Sequence, residues 1–409
     1  MRFIFYSHDG VGLGHARRNL ALADAVMELH PEAAVLIATG VESIRHLGIP
    51  RGVGVLTLPR LRKLSNEVYT GRDLSISLAD HVAVRSALLK AAVESFRPDV
   101  LLADKHPFGV GEELVPALEV VRANGGRTVL GLRDILDTRE TVLREWARRD
   151  LANRIPQYYD RVLVYGKCSV FDPIAAYEFP PSLAERTVFC GYVVNRTRRE
   201  WRAADAMPEL SGRRPAILAT AGGGQDGIDL IRCFLTAAAG AGWDAIVVTG
   251  PQTSEHDRKT LRAHADDVGV TFRSFVPCLF RWFERVDAIV SMGGYNTMVE
   301  ALASGTPTVC VPRVAPRMEQ LLRARAFARL GLLQLLDPGR LEPLALREEI
   351  QAALECSRER EELKRRAQAA LGFDGAENGA VQLTELAAEA ASSLRGSGAS
   401  ASSLRPGAA

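Results

Sequence analysis

The spacing of apolar positions along this chain switches repeatedly between two periods. Short continuous apolar runs, such as Phe3-Ile4-Phe5-Tyr6 and Val100-Leu101-Leu102-Ala103, alternate with longer stretches whose apolar residues recur every three or four positions. The runs predict buried strands and the stretches predict amphipathic helices, the order expected of stacked βαβ units with parallel strands. In the first half the predicted strands are Arg2 to Ser7, Ala34 to Ala38, Val53 to Leu58, Val100 to Ala103, Thr128 to Leu132 and Arg161 to Tyr165. After a polar lapse at Asn195-Arg196-Thr197-Arg198-Arg199-Glu200 a second series follows: Ala216 to Ala219, Ala245 to Thr249, Val270 to Arg273, Ala288 to Ser291 and Thr308 to Val311. The expectation is an α/β chain of two Rossmann-like, doubly wound domains facing a cleft, with ligands at the C-terminal ends of the strands. The domains are expected at 1–194 and 215–390, joined by a linker at 195–214. The charged helical segment after Leu346 could pack back across both. Ala391-Ser392-Ser393-Leu394-Arg395 recurs as Ala401-Ser402-Ser403-Leu404-Arg405, so 391–409 is expected to be a disordered tail.

Length and composition narrow the classes. The 409 residues suit two domains of roughly 150 to 200 residues. A net charge of +2 lacks the excess that binding a phosphate backbone requires, which excludes nucleic acid as the expected partner. The six cysteines form no C-x-x-C pair, so buried thiols in a reducing, cytoplasmic compartment are expected rather than disulfides or a zinc site. The apolar start is too short for a signal peptide, and no stretch approaches the roughly eighteen residues of a membrane span, so any membrane contact would be peripheral.

The first strand runs into His8-Asp9-Gly10-Val11-Gly12-Leu13-Gly14-His15-Ala16-Arg17-Arg18. Gly12 and Gly14 would let a ligand approach a helix N-terminus closely. The second strand ends Ala38-Thr39-Gly40, without the acidic residue that a dinucleotide fold places against the ribose, which disfavours a nicotinamide enzyme. His15 is a candidate general base; it could instead cap the helix or bond a phosphate. Asp104 ends the fourth strand at the same sheet edge and could orient His15, or serve as a turn residue or a partner of Lys105. Arg133 and Asp134 end the fifth strand and are candidates for acceptor or phosphate contact, the alternative being a surface ion pair. The stretch Leu58-Pro59-Arg60-Leu61-Arg62-Lys63-Leu64, running on to Tyr69 and Arg72, mixes basic and apolar groups near the acceptor side; it could touch anionic lipid or bind a negatively charged small acceptor, the alternative being a solvated basic loop.

In the second half Gly222-Gly223-Gly224-Gln225-Asp226-Gly227 lies between a strand and a helix and lacks the Gly-Lys-Ser/Thr ending of a P-loop. Further on come Val290-Ser291-Met292-Gly293-Gly294-Tyr295-Asn296-Thr297-Met298-Val299-Glu300, then Val311-Pro312-Arg313 and Met318-Glu319-Gln320. From Pro215 to Leu333 this array resembles the C-terminal domain of glycosyltransferase family 28, the family of the peptidoglycan GlcNAc transferase that makes lipid II. The resemblance implies a GT-B fold and a nucleotide-diphosphate sugar as donor. It implies that Gly293, Gly294, Asn296 and Thr297 start a helix whose amides hold the diphosphate, with Gly223, Gly224 and Gln225 near the phosphates. It further implies that Glu300 accepts from the ribose hydroxyls, that Phe275 and Val276 offer backbone groups to the base, and that Glu319 and Gln320 bond the donor sugar. Glu300 could otherwise be a solvated helix glutamate. A helix N-terminus carrying about half a positive charge can stabilise a departing diphosphate. The chain has no Asp-x-Asp triplet, so neither a metal nor another cofactor is expected.

The His-Glu-Gln-Asn stretch of the lipid II enzyme is replaced by Arg133-Asp134-Ile135-Leu136, so the acceptor is not expected to be lipid I. A small, soluble acceptor, as in natural-product or antibiotic assembly, is expected instead, with UDP the favoured donor nucleotide and GDP or dTDP open. Two rival readings on the same fold are a sugar-nucleotide epimerase and a non-catalytic sugar-nucleotide sensor.

Overall fold

The computed structural model describes residues 1–8, 13–65, 68–72, 74–195, 206–210 and 212–401. Seven parallel strands form the first sheet: β1 (Arg2–Tyr6), β2 (Ala34–Thr39), β3 (Val53–Thr57), β6 (Val100–Asp104), β7 (Arg127–Arg133), β8 (Arg161–Tyr165) and β9 (Thr187–Phe189), in the order β3-β2-β1-β6-β7-β8-β9. The second holds β10 (Ala216–Thr220), β11 (Asp244–Val248), β12 (Thr271–Arg273), β13 (Ala288–Ser291), β14 (Thr308–Cys310) and β15 (Gln334–Leu335), in the order β12-β11-β10-β13-β14-β15. Their central strands, such as β1, β6, β10 and β13, are buried along almost their whole length, which is why they read as continuous apolar runs. In each sheet the order reverses once, between β1 and β6 and between β10 and β13, and each reversal opens a crevice at the strand ends.

The stretch expected as a basic loop is instead an antiparallel hairpin, β4 (Leu61–Ser65) with β5 (Val68–Gly71), because Leu58 and Leu61 are buried and anchor it. Most of the expected linker, residues 196–205 and 211, lies outside the described residues.

The chain crosses between the domains twice, and the crossings lie side by side. Tyr192 N–H donates to Gly372 O at 2.8 Å and Gly375 N–H to Tyr192 O at 3.2 Å. A Cβ on Gly375 would stand 2.5 Å from Gly191 O, so this approach of two backbones requires glycine. The last helix, Gly375–Ala401, then packs on the first helix, Gly14–Leu29, and on the N-terminal sheet, with Asn378 donating to Cys190 O at 2.8 Å. The helices after Leu346 are therefore divided. Arg360–Leu371 stays with the C-terminal domain and Gly375–Ala401 belongs spatially to the N-terminal one, unlike the boundary expected at 390. The helix also continues ten residues past Ala391, into the stretch expected to be a disordered tail.

One apolar cluster spans the domain boundary, joining Tyr192 and Val193 to Tyr295, Met298 and Phe327. Among the described residues no helix is long and apolar enough to cross a membrane.

Candidate active site

The first reversal determines which residues meet. β1 and β6 are neighbours with Tyr6 opposite Ala103, so the chain leaving β1 and the last residue of β6 emerge together. The first brings His15 in the opening turn of its helix; the second brings Asp104. His15 Nδ1 lies 3.0 Å from Asp104 Oδ2, with the carboxylate fully buried and the imidazole 13% exposed. Arg18, one helical turn beyond His15, donates to both Asp104 oxygens at 2.8 and 2.6 Å and is itself buried between the rings of Tyr165 and Tyr295. Burial opposes the charge on Asp104, but Arg18 and His15 outweigh it and hold the carboxyl well below the usual carboxylate range. Arg18 Nη2 also lies 2.9 Å from His15 Nδ1. In the tautomer that carries its proton on Nδ1, an ionised Asp104 accepts that proton and Nε2, on the far side of the ring, is left as the basic nitrogen.

The second reversal builds the facing wall. β10 and β13 are neighbours with Thr220 opposite Ser291, so the glycine turn after β10 and the Gly293-Gly294 turn after β13 emerge together. Gly224 has φ +85°, and a Cβ there would stand 2.4 Å from Thr253 Oγ1 and 2.6 Å from Thr249 O. Gly294 caps the helix Tyr295–Ser304, whose first amides point into the space between the domains. The resulting cavity of about 240 Å³ is lined from one side by Gly14, His15, Arg17 and Arg133 and from the other by Gly222–Asp226, Phe275, Val276, Gly294–Thr297 and Gln320. A cavity bounded by glycine turns, a helix N-terminus and a carboxylate-oriented imidazole is suited to hold an anionic ligand beside a base.

Residues 219–382 match the glycosyltransferase family 28 C-terminal domain. The C-terminal half is therefore a glycosyltransferase domain. Over 387 residues the whole chain is 24% identical to an uncharacterized glycosyltransferase of Methanosarcina mazei, covering 90% of this chain and 93% of that one. It is 25% identical over 359 residues, 85% and 87% of the two chains, to the UDP-N-acetylglucosamine–N-acetylmuramyl-(pentapeptide) pyrophosphoryl-undecaprenol N-acetylglucosamine transferase of Solidesulfovibrio magneticus. Among solved structures, spinosyn forosaminyltransferase superposes with a TM-score of 0.63 at 16% identity, covering 95% and 99% of the two chains. The chain is a glycosyltransferase of the GT-B type.

Within this glycosyltransferase the residues expected at the site divide into groups. His15, Gly14, Arg133, Gly223, Gly224, Gln225, Phe275, Val276, Gly294, Asn296, Thr297 and Gln320 all line the one cavity. Gly12 lies outside the described residues. Asp134 does not face the cleft: it is buried against Arg323 of the other domain, accepting from Nη2 at 2.6 Å and Nε at 2.8 Å, so it is an interdomain partner rather than an acceptor contact. Glu319 is not among the residues that line the cavity; its Oε1 accepts from Arg313 at 2.7 Å, and Arg313 donates to Asp226 as well. Gly293 sits behind the wall, its carbonyl accepting from Arg323 at 3.0 Å; a Cβ would meet Gln320 O at 2.7 Å. Glu300 is 1% exposed and covered by Arg17, which donates to its two oxygens at 2.7 and 2.9 Å. Burial raises the Glu300 pKa and Arg17 pulls it back only in part.

Arg17 and Arg18 were not among the expected site residues. For Arg18 the signal was available: it stands three residues after His15, hence on the same helical face. For Arg17 and for Arg323 the partners lie in the other domain, and local sequence carries no trace of them.

Proposed function

We propose that this glycosyltransferase moves a sugar from a nucleotide-diphosphate sugar to a small soluble acceptor, with inversion at the anomeric carbon and without a metal ion. The observation that carries the reading is the single cleft in which the His15–Asp104 pair faces the Gly222–Gln225 turn and the helix start at Gly294. In this reading His15 Nε2 takes the acceptor hydroxyl proton, the acceptor oxygen bonds the anomeric carbon, and the sugar–diphosphate bond breaks with its electron pair on the departing oxygen. Amides at Gly294–Thr297 and the glycine turn stabilise the diphosphate, Glu300 grips the ribose, and Phe275-Val276 flank the base. A UDP-sugar is favoured by the likeness to the UDP-N-acetylglucosamine-dependent relative, and a GDP- or dTDP-sugar fits the same backbone contacts. The likeness to spinosyn forosaminyltransferase supports a natural-product acceptor.

The test pairs two variants. His15→Ala is expected to lower kcat about 10²- to 10⁴-fold with donor Kd nearly unchanged, and Glu300→Ala to weaken nucleotide binding. Equal loss of turnover and donor affinity in His15→Ala would overturn the role of His15. Conversion of a nucleotide sugar without acceptor would favour an epimerase instead.

A further inference from the structure

Arg17 stands apart from the other arginines at the domain boundary. Arg323 is buried in full on Asp134, and Arg18 on Asp104 of its own domain. Arg17 lines the substrate cavity, as Arg18 does, but it keeps 14% of its side chain exposed and reaches across the cleft to the carboxylate assigned to the ribose. Only Nη2 is used in that pair, and Nε is buried without a hydrogen-bond partner among the described residues. The two N–H bonds of Nη2 meet Oε1 and Oε2 of Glu300, whose carboxylate is only 1% exposed, so Arg17 stands between it and the cavity. A ribose in the cavity reaches that carboxylate only when Arg17 moves aside.

We infer that Arg17 is a contact for the leaving diphosphate, held on Glu300 until the donor's ribose displaces it. The inference rests on the ribose role of Glu300 given above. Displacement frees a guanidinium inside the cavity that the glycine turn and the Gly294 helix start also line, where the nearest anion supplied by the donor is its diphosphate. There the planar, always charged fork suits two phosphate oxygens. As the anomeric C–O bond breaks, the electron pair moves to the diphosphate oxygen and the charge that grows there faces Arg17. No proton passes to or from the guanidinium, because the acceptor's proton has gone to His15. The exchange also solves an electrostatic problem in the empty enzyme. Glu300 is 1% exposed, so without either the ribose or Arg17 its charge would lack a partner. The residue thereby couples recognition of the nucleoside to stabilisation of the leaving group.

The experiment measures, by calorimetry, the Kd of a nucleoside diphosphate and of its monophosphate for wild type, Arg17→Gln and Arg17→Lys, using whichever of UDP, GDP or dTDP binds wild type. The ratio of the two constants isolates the terminal phosphate from the ribose and base. In Arg17→Gln the preference for the diphosphate is expected to fall about tenfold, the worth of one charge-assisted hydrogen bond, while monophosphate binding holds or tightens because the competitor for Glu300 is gone. Arg17→Lys should keep part of the preference, and it stays informative if the glutamine variant folds poorly. An unchanged ratio with both ligands weakened equally would make Arg17 a domain clasp and overturn the inference. Absence of binding by any nucleotide to wild type would instead sink the reading of the site on which it rests.

Discussion

Replacing Asp134 by alanine tests whether this residue serves the domain interface or the substrate. Its carboxylate is 1% exposed and Arg323 is fully buried, so neither charge has water to fall back on. In Asp134→Ala the guanidinium keeps the Gly293 carbonyl at 3.0 Å but loses all three of its contacts with carboxylate oxygens, at 2.6, 2.8 and 3.2 Å. Removing one partner of a buried ion pair costs about 3–5 kcal/mol, because the remaining charge stays desolvated. For a cooperative unit of domain size that corresponds to a drop in Tm on the order of 10 °C. The double variant Asp134→Ala with Arg323→Met removes both charges and fills the guanidinium's volume with apolar atoms, so it should recover most of the loss. Urea denaturation followed by circular dichroism, with calorimetry, on wild type, Asp134→Ala, Arg323→Met alone and the double variant measures all four corners of the cycle. The reasoning is refuted if Asp134→Ala lies within about 0.5 kcal/mol of wild type, the range of ordinary surface changes. It fails equally if stability is kept while the acceptor KM rises, which would return Asp134 to the acceptor site.

Two further outcomes follow from the geometry. Asp104 has a folded-state pKa below its unfolded value of about 3.9, so its contribution to stability is complete above that pH and is lost as pH falls toward the folded value. Asp104→Asn should therefore be clearly less stable than wild type at pH 7, with the gap narrowing below about pH 4 in denaturation curves; a gap independent of pH would contradict the ionised state assigned to Asp104. Gly224→Ala places a methyl group 2.6 Å from the Thr249 carbonyl at φ +85°, and should cost about 1–3 kcal/mol and displace the turn from the cavity. A variant that melts and binds nucleotide as wild type does would show that the turn yields freely.

The sequence made the central sheets legible because their strands are buried on both faces and so read as unbroken apolar runs. It missed β9 and β15 for the converse reason: Thr187-Val188-Phe189 and Gln334-Leu335 are short edge strands, half-buried, with too few residues to establish a period. The site was legible where the doubly wound order alone decides which strand ends meet, as for His15 with Asp104 and for the glycine turn with Gly294. It was misread where two charged residues end an apolar strand. Arg133 and Asp134 are consecutive in β7 and the turn after it, so their side chains leave the strand in opposite directions. One reaches the substrate cavity, and the other is buried against a helix that lies almost two hundred residues away in sequence. A charge that ends a buried strand at a sheet's C-terminal edge must find either a ligand or a partner domain. In a fold whose cleft and interface share that edge, only the docking of the two sheets distinguishes one fate from the other.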